Sequence, residues 1–211
     1  TLNVLQACRR HNVAKLVHTS TSEVYGSALR VPIDEDHPLQ PQSPYSASKI
    51  AADNLALSYF HSFELPVAVC RPFNTFGPRQ SARAVIPTII TQLAAGAQQI
   101  KLGALDPTRD FTYVADTVEG LIAVAESDNA VGHTLNLGTG YDVSIGDLAG
   151  LIRDQINPDA TIELDPGRLR PKGSEVDRLR ADNTRARTLT GWSPQLAGPE
   201  GLQEGLAQTI A

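Results

Sequence analysis

The stretch SPYSASKIAADNLALSYFHSFELPVAVCR, residues 43–71, decides the fold, because a long helix pattern leads directly into a buried strand pattern. Pro44 suits the first position of a helix, and the pattern continues through YSASKIAADNLALSYFHSF. The run VAVCR that follows has the apolar and β-branched residues of a buried strand. This order predicts one step of an α/β sheet.

The same alternation extends in both directions from this stretch. A helix at the start precedes the strand AKLVHTS, which should end near Ser20. Later come the helix AVIPTIITQLAAG, the strands IKLG and DFTYV, the helix ADTVEGLIAVAES and the strand HTLNLG. Ser144 and Asp147 form a variant capping box that opens the helix IGDLAGLIRDQI. Alternating strands and helices predict a parallel sheet covered on both faces.

Composition excludes several classes of protein. Of the 211 residues, 41% are hydrophobic and 19% charged, and no apolar run reaches the ~20 residues of a membrane span. The net charge of -5, with scattered Lys and Arg, argues against a nucleic-acid partner. Cys8 and Cys70 lie in apolar settings without metal-ligand spacing, which favours buried thiols in a reducing cytoplasm. We therefore expect a soluble, cytoplasmic globular protein.

Two short motifs carry the candidate chemistry. Tyr45 and Lys49 are four residues apart and share one helix face, although the same spacing also occurs on ordinary surface helices. The run HTSTSEVYG, residues 18–26, stands where the first strand ends, and ligands of doubly wound sheets bind outside such ends. Without a function, this run would be an ordinary Ser/Thr turn with a solvated Glu23. Together the motifs favour a functional site.

These motifs resemble those of the extended short-chain dehydrogenase/reductases that modify nucleotide sugars, the NAD-dependent epimerase/dehydratase family. Thr21, Tyr45 and Lys49 match the pattern of a strand-end hydroxyl followed by Y-x-x-x-K. The resemblance continues through RPFNTFGPRQ (71–80), RDFTYVAD (109–116), NLGTG (136–140) and RPKGSEVDRLRADNTRARTLTGWSP (170–194). It implies a Rossmann-like fold, NAD as cofactor, a nucleotide-sugar substrate and a homodimer.

The residues after Thr21 suggest the reaction. Ser22 and Glu23 complete T-S-E, which is similar to sugar 4,6-dehydratases, whereas many 4-epimerases carry no acid there. Decarboxylases of the family resemble one another in an arginine at the position of Gln42, which disfavours that reaction. The chain looks most like UDP-N-acetylglucosamine or GDP-mannose 4,6-dehydratases. A 4-epimerase, or a non-catalytic fragment that binds a nucleotide sugar or a protein partner, is the alternative.

The resemblance also implies a role for each site residue. Ionised Tyr45 would take the O4 proton while hydride passes from C4 to NAD, with Lys49 on the cofactor ribose and Thr21 on O4. Glu23 would act as base at C5, and Ser22 or reprotonated Glu23 would assist the loss of the C6 hydroxyl. The implied cofactor-binding residues are Ser20, Tyr45, Lys49 and Pro72, and the implied substrate-binding residues are Asn74, Arg83, Arg109, Arg170 and Glu175.

The same comparison predicts the domain organisation. Residues 1–76 and 108–142 should form the C-terminal part of an NAD-binding domain, residues 77–107 and 143–198 a small α/β substrate-binding lobe, and residues 199–211 a terminal helix. No glycine-rich dinucleotide fingerprint opens the chain. The chain is therefore interpreted as a Rossmann-like sheet without its N-terminal half, a fragment inactive by itself.

Three other features are given ordinary interpretations. The acidic loop DEDH, residues 34–37, is expected to be a solvated surface, and no metal site is predicted. His18 and His133 lie in predicted strands and are expected in the core or at its rim. GTG, residues 138–140, is predicted to be a turn, because no third glycine follows in register.

Overall fold

Helices and strands alternate along the chain in the computed structural model, which describes residues 1–169 and 171–211. The α-helices of these residues are α1 Leu2–Arg10, α2 Pro44–Phe63, α3 Val85–Ala94, α4 Val114–Glu126, α5 Ile145–Ile156, α6 Thr184–Thr190 and α7 Gly198–Ile210. The strands are β1 Leu16–Thr19, β2 Val67–Pro72, β3 Asn74–Phe76, β4 Gln99–Leu102, β5 Thr108–Arg109, β6 Phe111–Tyr113, β7 Thr134–Leu137, β8 Val143–Ser144, β9 Thr161–Leu164 and β10 Arg178–Leu179.

The main sheet contains three parallel strands in the order β1-β2-β7. Val69 of β2 pairs with His18 on one side and with Thr134 on the other. Parallel neighbours require a crossover between them, and α2 provides the first one, from β1 to β2. The α/β fold class with a parallel sheet is confirmed.

Residues of β2 alternate between the two faces of this sheet. Val67 and Val69 pack into a core with α1 and α2, whereas Ala68 and Cys70 pack against the side of α4 and α6. All four side chains are fully buried. Because both faces are covered, β2 carries no polar alternation, as expected for an inner parallel strand.

The start of α2 is fixed by a complete capping box. Ser43 Oγ accepts a hydrogen bond from the backbone N of Ser46 at 3.0 Å, and Ser46 Oγ accepts one from the backbone N of Ser43 at 3.0 Å. Pro44 occupies the first turn, where its missing N–H leaves no partner unsatisfied. The predicted helix start is confirmed.

Replacement of Ser43 by alanine is expected to lower the free energy of unfolding by about 1 kcal/mol, because one N-terminal N–H of α2 loses its acceptor. Urea unfolding followed by circular dichroism measures this change. Ser48→Ala is the matched control, since Ser48 lies on the same helix and bonds only the carbonyl of Tyr45. Equal loss in both variants would contradict the capping role.

A further core lies outside the main sheet. It packs α3 and α5 against the parallel pair β4-β9, and its buried residues include Ile89, Ile100 and Ile152. Two smaller sheets, β3-β6 and β10-β5-β8, contain the remaining strands of the described residues. Ser144 Oγ caps α5 by accepting from the backbone N of Asp147 at 2.9 Å, which confirms that predicted start.

In the part of the chain described, no helix combines the length and the apolar composition that a bilayer-spanning segment requires.

The acidic loop DEDH is not a uniformly solvated surface, and that expectation was wrong for two of its residues. Glu35 accepts a hydrogen bond from the backbone N of Asn136 at 2.8 Å, and its side chain is 3% exposed. His37 is buried and accepts from the backbone N of Leu29 at 3.0 Å. Burial raises the pKa of the Glu35 carboxyl, although the hydrogen bond from Asn136 opposes the shift. A backbone donor distant in sequence accompanies the burial of Glu35, and a donor eight residues away accompanies that of His37.

Candidate functional site

A cleft with a volume of about 360 Å³ is bordered by β3, the start of α3, β5 and the short 3₁₀ helix Ser22–Tyr25 that follows β1. Residues predicted from four separate sequence motifs, together with Arg83, meet in its wall. Together they supply carboxylate, amide and guanidinium groups to one space. The sequence-predicted residues that line the cleft are Glu23, Asn74, Arg83, Arg109 and Glu175.

Glu23 is held in the cleft wall by the residue that precedes its short helix. The backbone N of Glu23 donates to Thr21 Oγ1 at 3.3 Å, so Thr21 caps the 3₁₀ helix. This contact uses Thr21 as an acceptor and keeps its hydroxyl proton for donation to a ligand. Ser22 is buried beneath the loop, at 2% exposure. Of the two acid-base candidates after Thr21, it is therefore Glu23 that lines the cleft.

Tyr45 and Lys49 form a second group, on the first turns of α2. The Tyr45 side chain is 54% exposed, and Lys49 Nζ donates to the carbonyl of Thr19 at 2.7 Å. Neither residue lines the cleft itself. Ser20 and Pro72 lie at the carboxyl ends of β1 and β2, which are parallel neighbours and end at the same edge. The predicted cofactor-binding residues therefore gather at this edge.

Three arginines line the cleft. Arg109 is 7% exposed, and its Nη2 donates to Glu175 Oε1 at 3.4 Å. Arg83 is exposed, and Arg168 is the third. Forked guanidinium groups suit an anionic ligand such as a phosphate. The sequence-predicted Arg170 lies outside the described residues.

Arg168 and Gln80 line the cleft but were missed by sequence reasoning. Arg168 stands in the short helix Pro166–Arg168, where it pairs with Asp165 at 3.1 Å. Gln80 ends the quoted run RPFNTFGPRQ, and its Nε2 donates to the carbonyl of Thr75 at 2.8 Å. The only available signal was their position next to residues already selected, two before Arg170 and six after Asn74.

Asp110 anchors the segment that carries Arg109. Its buried carboxylate accepts four hydrogen bonds at 2.7–3.1 Å, from the backbone N and Oγ1 of Thr139 and the backbone N of Gly140 and Ala181. Burial raises the pKa of this carboxyl, while the four donors oppose the shift. The GTG stretch is confirmed as a turn that wraps this carboxylate. The neighbouring Arg109 is thus positioned by hydrogen bonds from two other segments, residues 139–140 and Ala181.

Asp142 joins strands of the small β10-β5-β8 sheet. Its carboxylate accepts from Thr108 Oγ1 at 2.8 Å and from Nε and Nη2 of Arg178 at 2.7 and 3.1 Å. Burial alone would raise the pKa of Asp142, but the hydrogen bonds from Arg178 and Thr108 outweigh it, so this pKa lies below its ordinary value. The ionised form therefore stabilises the β10-β5-β8 sheet beside the cleft.

Replacement of Asp142 by asparagine is expected to reduce the acid sensitivity of the fold. Because its folded-state pKa lies below the unfolded value of about 3.9, the ionised carboxylate stabilises the fold above about pH 4, and this contribution disappears as the pH falls further. The difference in free energy of unfolding between wild type and variant should shrink from pH 6 to pH 3. Urea unfolding at several pH values measures it, and a constant difference would contradict the assignment.

A buried polar network connects the main sheet to the loop after β1. Tyr25 Oη donates to Asn136 Oδ1 at 2.7 Å and accepts from Arg71 Nη1 at 2.9 Å. Arg71 Nε donates to Asp53 Oδ2 at 3.0 Å, and Asp53 Oδ1 accepts from His18 Nε2 at 3.1 Å. Burial raises the pKa of Tyr25 to about 12 despite the opposing charge of Arg71. No short sequence motif pointed to this network, whose partners come from four segments.

Comparison with known proteins identifies similar proteins that align with nearly the whole of this chain. The family model described as GDP-mannose 4,6 dehydratase matches residues 1–205. A dTDP-glucose 4,6-dehydratase of Streptomyces griseus is 38% identical over all of this chain and 62% of its own length, and a UDP-glucose 4-epimerase of Mycolicibacterium smegmatis is 34% identical over all of this chain and 66% of its own. The chain thus spans less than two thirds of these relatives.

A solved structure gives the same picture. The dTDP-glucose 4,6-dehydratase of Bacillus anthracis, in complex with NAD, superposes with a TM-score of 0.87 at 29% identity. The match covers 98% of this chain and 65% of that one.

Proposed function

Because this chain belongs to the family of NAD-dependent sugar-nucleotide epimerases and dehydratases, we propose that it serves a nucleotide-sugar 4,6-dehydratase reaction. Its Rossmann-like α/β fold class, predicted from the sequence, is confirmed by the structural match. The observation that carries the proposal is the position of Glu23, whose carboxylate lines the same cleft as Asn74 and Arg109. Dehydration needs a base for the C5 proton, whereas epimerisation at C4 does not.

The residues at the edge of the main sheet fit NAD. An ammonium group has three donors, and Lys49 uses one of them on the Thr19 carbonyl, so two remain for the hydroxyls of a ribose. Tyr45 presents its side chain to solvent one helical turn earlier, and Ser20 and Pro72 complete this side. These residues would hold NAD, which would supply reversible hydride transfer between C4 and C6 of the sugar.

The cleft residues fit the remainder of a nucleotide sugar. Arg109 and Arg83 are proposed to bind the diphosphate, because guanidinium groups bind phosphate oxygens through paired donors. Asn74 is assigned to the diphosphate or the sugar, and Glu175 to the nucleotide ribose. Arg170 keeps its proposed phosphate role on the strength of the sequence resemblance alone.

The protein's own proton transfers follow from these positions. Tyr45, as phenolate, takes the proton from O4, and the Thr21 hydroxyl donates to the same oxygen as it becomes a carbonyl. The 4-keto group makes the C5 hydrogen acidic, and Glu23 removes it. Protonated Glu23 then donates to the C6 hydroxyl, which leaves as water. Ser22 is buried, so we assign this last step to Glu23.

A 4-epimerase is the second candidate, favoured by the 34% identity to the mycobacterial UDP-glucose 4-epimerase. The natural full-length protein, incubated with UDP-, GDP- and dTDP-hexoses and NAD in deuterium oxide, separates the two reactions. A dehydratase produces a 4-keto-6-deoxy sugar with deuterium at C5, because the original C5 proton leaves with the C6 hydroxyl as water and a solvent deuteron takes its place when hydride adds to C6. A C4 epimer without deuterium at C5 would contradict the proposal, and binding without turnover would indicate a non-catalytic role.

The assembly and the domain boundaries belong to the same proposal. We expect a homodimer, with residues 1–76 and 108–142 on the cofactor side and residues 77–107 and 143–198 on the substrate side. Light scattering of the full-length protein tests the first expectation. Limited proteolysis with and without nucleotide sugar tests the second.

A further inference from the structure

Three polar side chains follow one another along one face of α2. Tyr45, Lys49 and Asp53 are each four residues apart, so they lie on the same face over successive turns. Exposure falls along this row, from 54% at Tyr45 to 1% at Asp53. The row therefore begins at the candidate site and ends in the core.

Asp53 binds both strands beneath the helix. One carboxylate oxygen accepts from His18 Nε2 of β1 at 3.1 Å, and the other accepts from Arg71 Nε of β2 at 3.0 Å. His18 directly precedes Thr19, whose carbonyl accepts from Lys49 Nζ at 2.7 Å. The contact of Lys49 and the contact of Asp53 therefore fall on adjacent residues of the same strand.

Arg71 is itself held in place, so it gives Asp53 a rigid partner. Arg71 is 4% exposed, and its Nη1 donates to the Tyr25 hydroxyl at 2.9 Å. Tyr25 in turn donates to Asn136 of β7 at 2.7 Å. The anchor of Asp53 thus extends across all three strands of the main sheet.

The charge state of Asp53 suits this role. Burial alone would raise its pKa, but the hydrogen bond from His18 and the charge and hydrogen bond of Arg71 outweigh burial and lower it. A carboxylate can only accept, so His18 Nε2 must carry the donated proton. Two charge-assisted hydrogen bonds in the core define both the rotation and the axial position of α2.

We infer that Asp53 is a positioning residue for Lys49 and Tyr45, which acts by fixing α2 to His18 of β1 and Arg71 of β2. Side chains that bind a cofactor or transfer a proton require placement within about 0.5 Å, and supporting hydrogen bonds provide it. The reactive role of Lys49 rests on the proposed function. The structural link from Asp53 to Lys49 does not.

Trace acetylation of the full-length protein tests this link without any turnover. The rates at Lys49 and at the exposed Lys101 are compared in one sample by mass spectrometry. Asp53→Asn should raise the Lys49-to-Lys101 ratio by about threefold to tenfold, the equilibrium factor of one ordinary net hydrogen bond, because the Lys49–Thr19 contact opens more often. Asp154→Asn is the matched control, since Asp154 pairs only with its neighbour Arg153 at the surface and should leave the ratio unchanged.

Substitutions at His18 keep the inference testable if the Asp53→Asn variant does not fold. His18→Leu removes one anchor and leaves Arg71 in place, so it should raise the same ratio, and His18→Gln, whose amide can donate to Asp53, should restore it. An unchanged ratio in both Asp53→Asn and His18→Leu would overturn the inference. In the active protein, Asp53→Asn should lower kcat with little change in KM. A raised labelling ratio in a protein without dehydratase activity would refute the proposed function alone.

Discussion

Glu23→Gln is expected to lower the rate of dehydration by about 10²–10⁴-fold, the usual contribution of a positioned acid-base group. Glutamine keeps the size of the side chain and its place in the cleft wall, but it cannot remove the C5 proton. The oxidation step at C4 depends on Tyr45, so the variant should still accumulate reduced cofactor on addition of substrate. Stopped-flow absorbance of NADH, combined with product analysis, separates the two steps.

The control for this variant is Glu163→Gln. Glu163 is an exposed residue of β9 and does not line the cleft, so its variant should match the wild type in rate. Thermal unfolding should also be unaffected by Glu23→Gln, since the salt bridges found within residues 1–169 and 171–211 do not include Glu23. A Glu23→Gln variant with full activity would point to epimerisation.

Asp110→Asn is expected to lower the free energy of unfolding by about 2–6 kcal/mol. The new amide nitrogen can replace only one oxygen, and it would then face donors that now bind Asp110 Oδ2, the backbone N of Gly140 and of Ala181. Each buried donor left without an acceptor costs about 1–3 kcal/mol. Urea unfolding at pH 7, followed by tryptophan fluorescence from Trp192, measures the loss.

Asp106→Asn provides a matched comparison four residues earlier. Asp106 is exposed, so the same loss of charge should change the free energy of unfolding by about 0.5 kcal/mol or less. If both variants unfolded at the same urea concentration, the Asp110 carboxylate would not be the anchor of the GTG turn. Binding of nucleotide sugar to Asp110→Asn should also weaken, because the anchored segment carries Arg109.

Local signals in the sequence were sufficient to predict two helix starts and the inner strand of the main sheet. Pro44 and Ser144 marked helix starts through chemistry contained within four residues, and the run VAVCR predicted a buried strand. Several residues of the cleft could also be predicted from the sequence, because Glu23, Asn74 and Arg109 each belong to a recognisable motif. Their functional roles stay predictions.

Long-range polar contacts could not be predicted from the sequence. Glu35 was expected to be solvated because its neighbours Asp34 and Asp36 are acidic, yet its acceptor role depends on Asn136, a hundred residues away. The sequence around Asp110 and around Asp53 likewise contains no signal that distinguishes a buried carboxylate from an exposed one. Burial of a carboxylate is decided by donors from distant segments, and periodicity within one element contains no information about them.

Two segments near the cleft differ in how well they tolerate mutation. Gly138 packs so closely on Ala181 that an added Cβ would lie 2.4 Å from the alanine Cβ, and Asp110 binds both segments. Residues 78–83, which include the cleft residues Gln80 and Arg83, form a largely exposed segment before α3. Sequence changes among homologous genes should therefore concentrate in residues 78–83, where a substitution alters the cleft without disturbing the packing around Asp110.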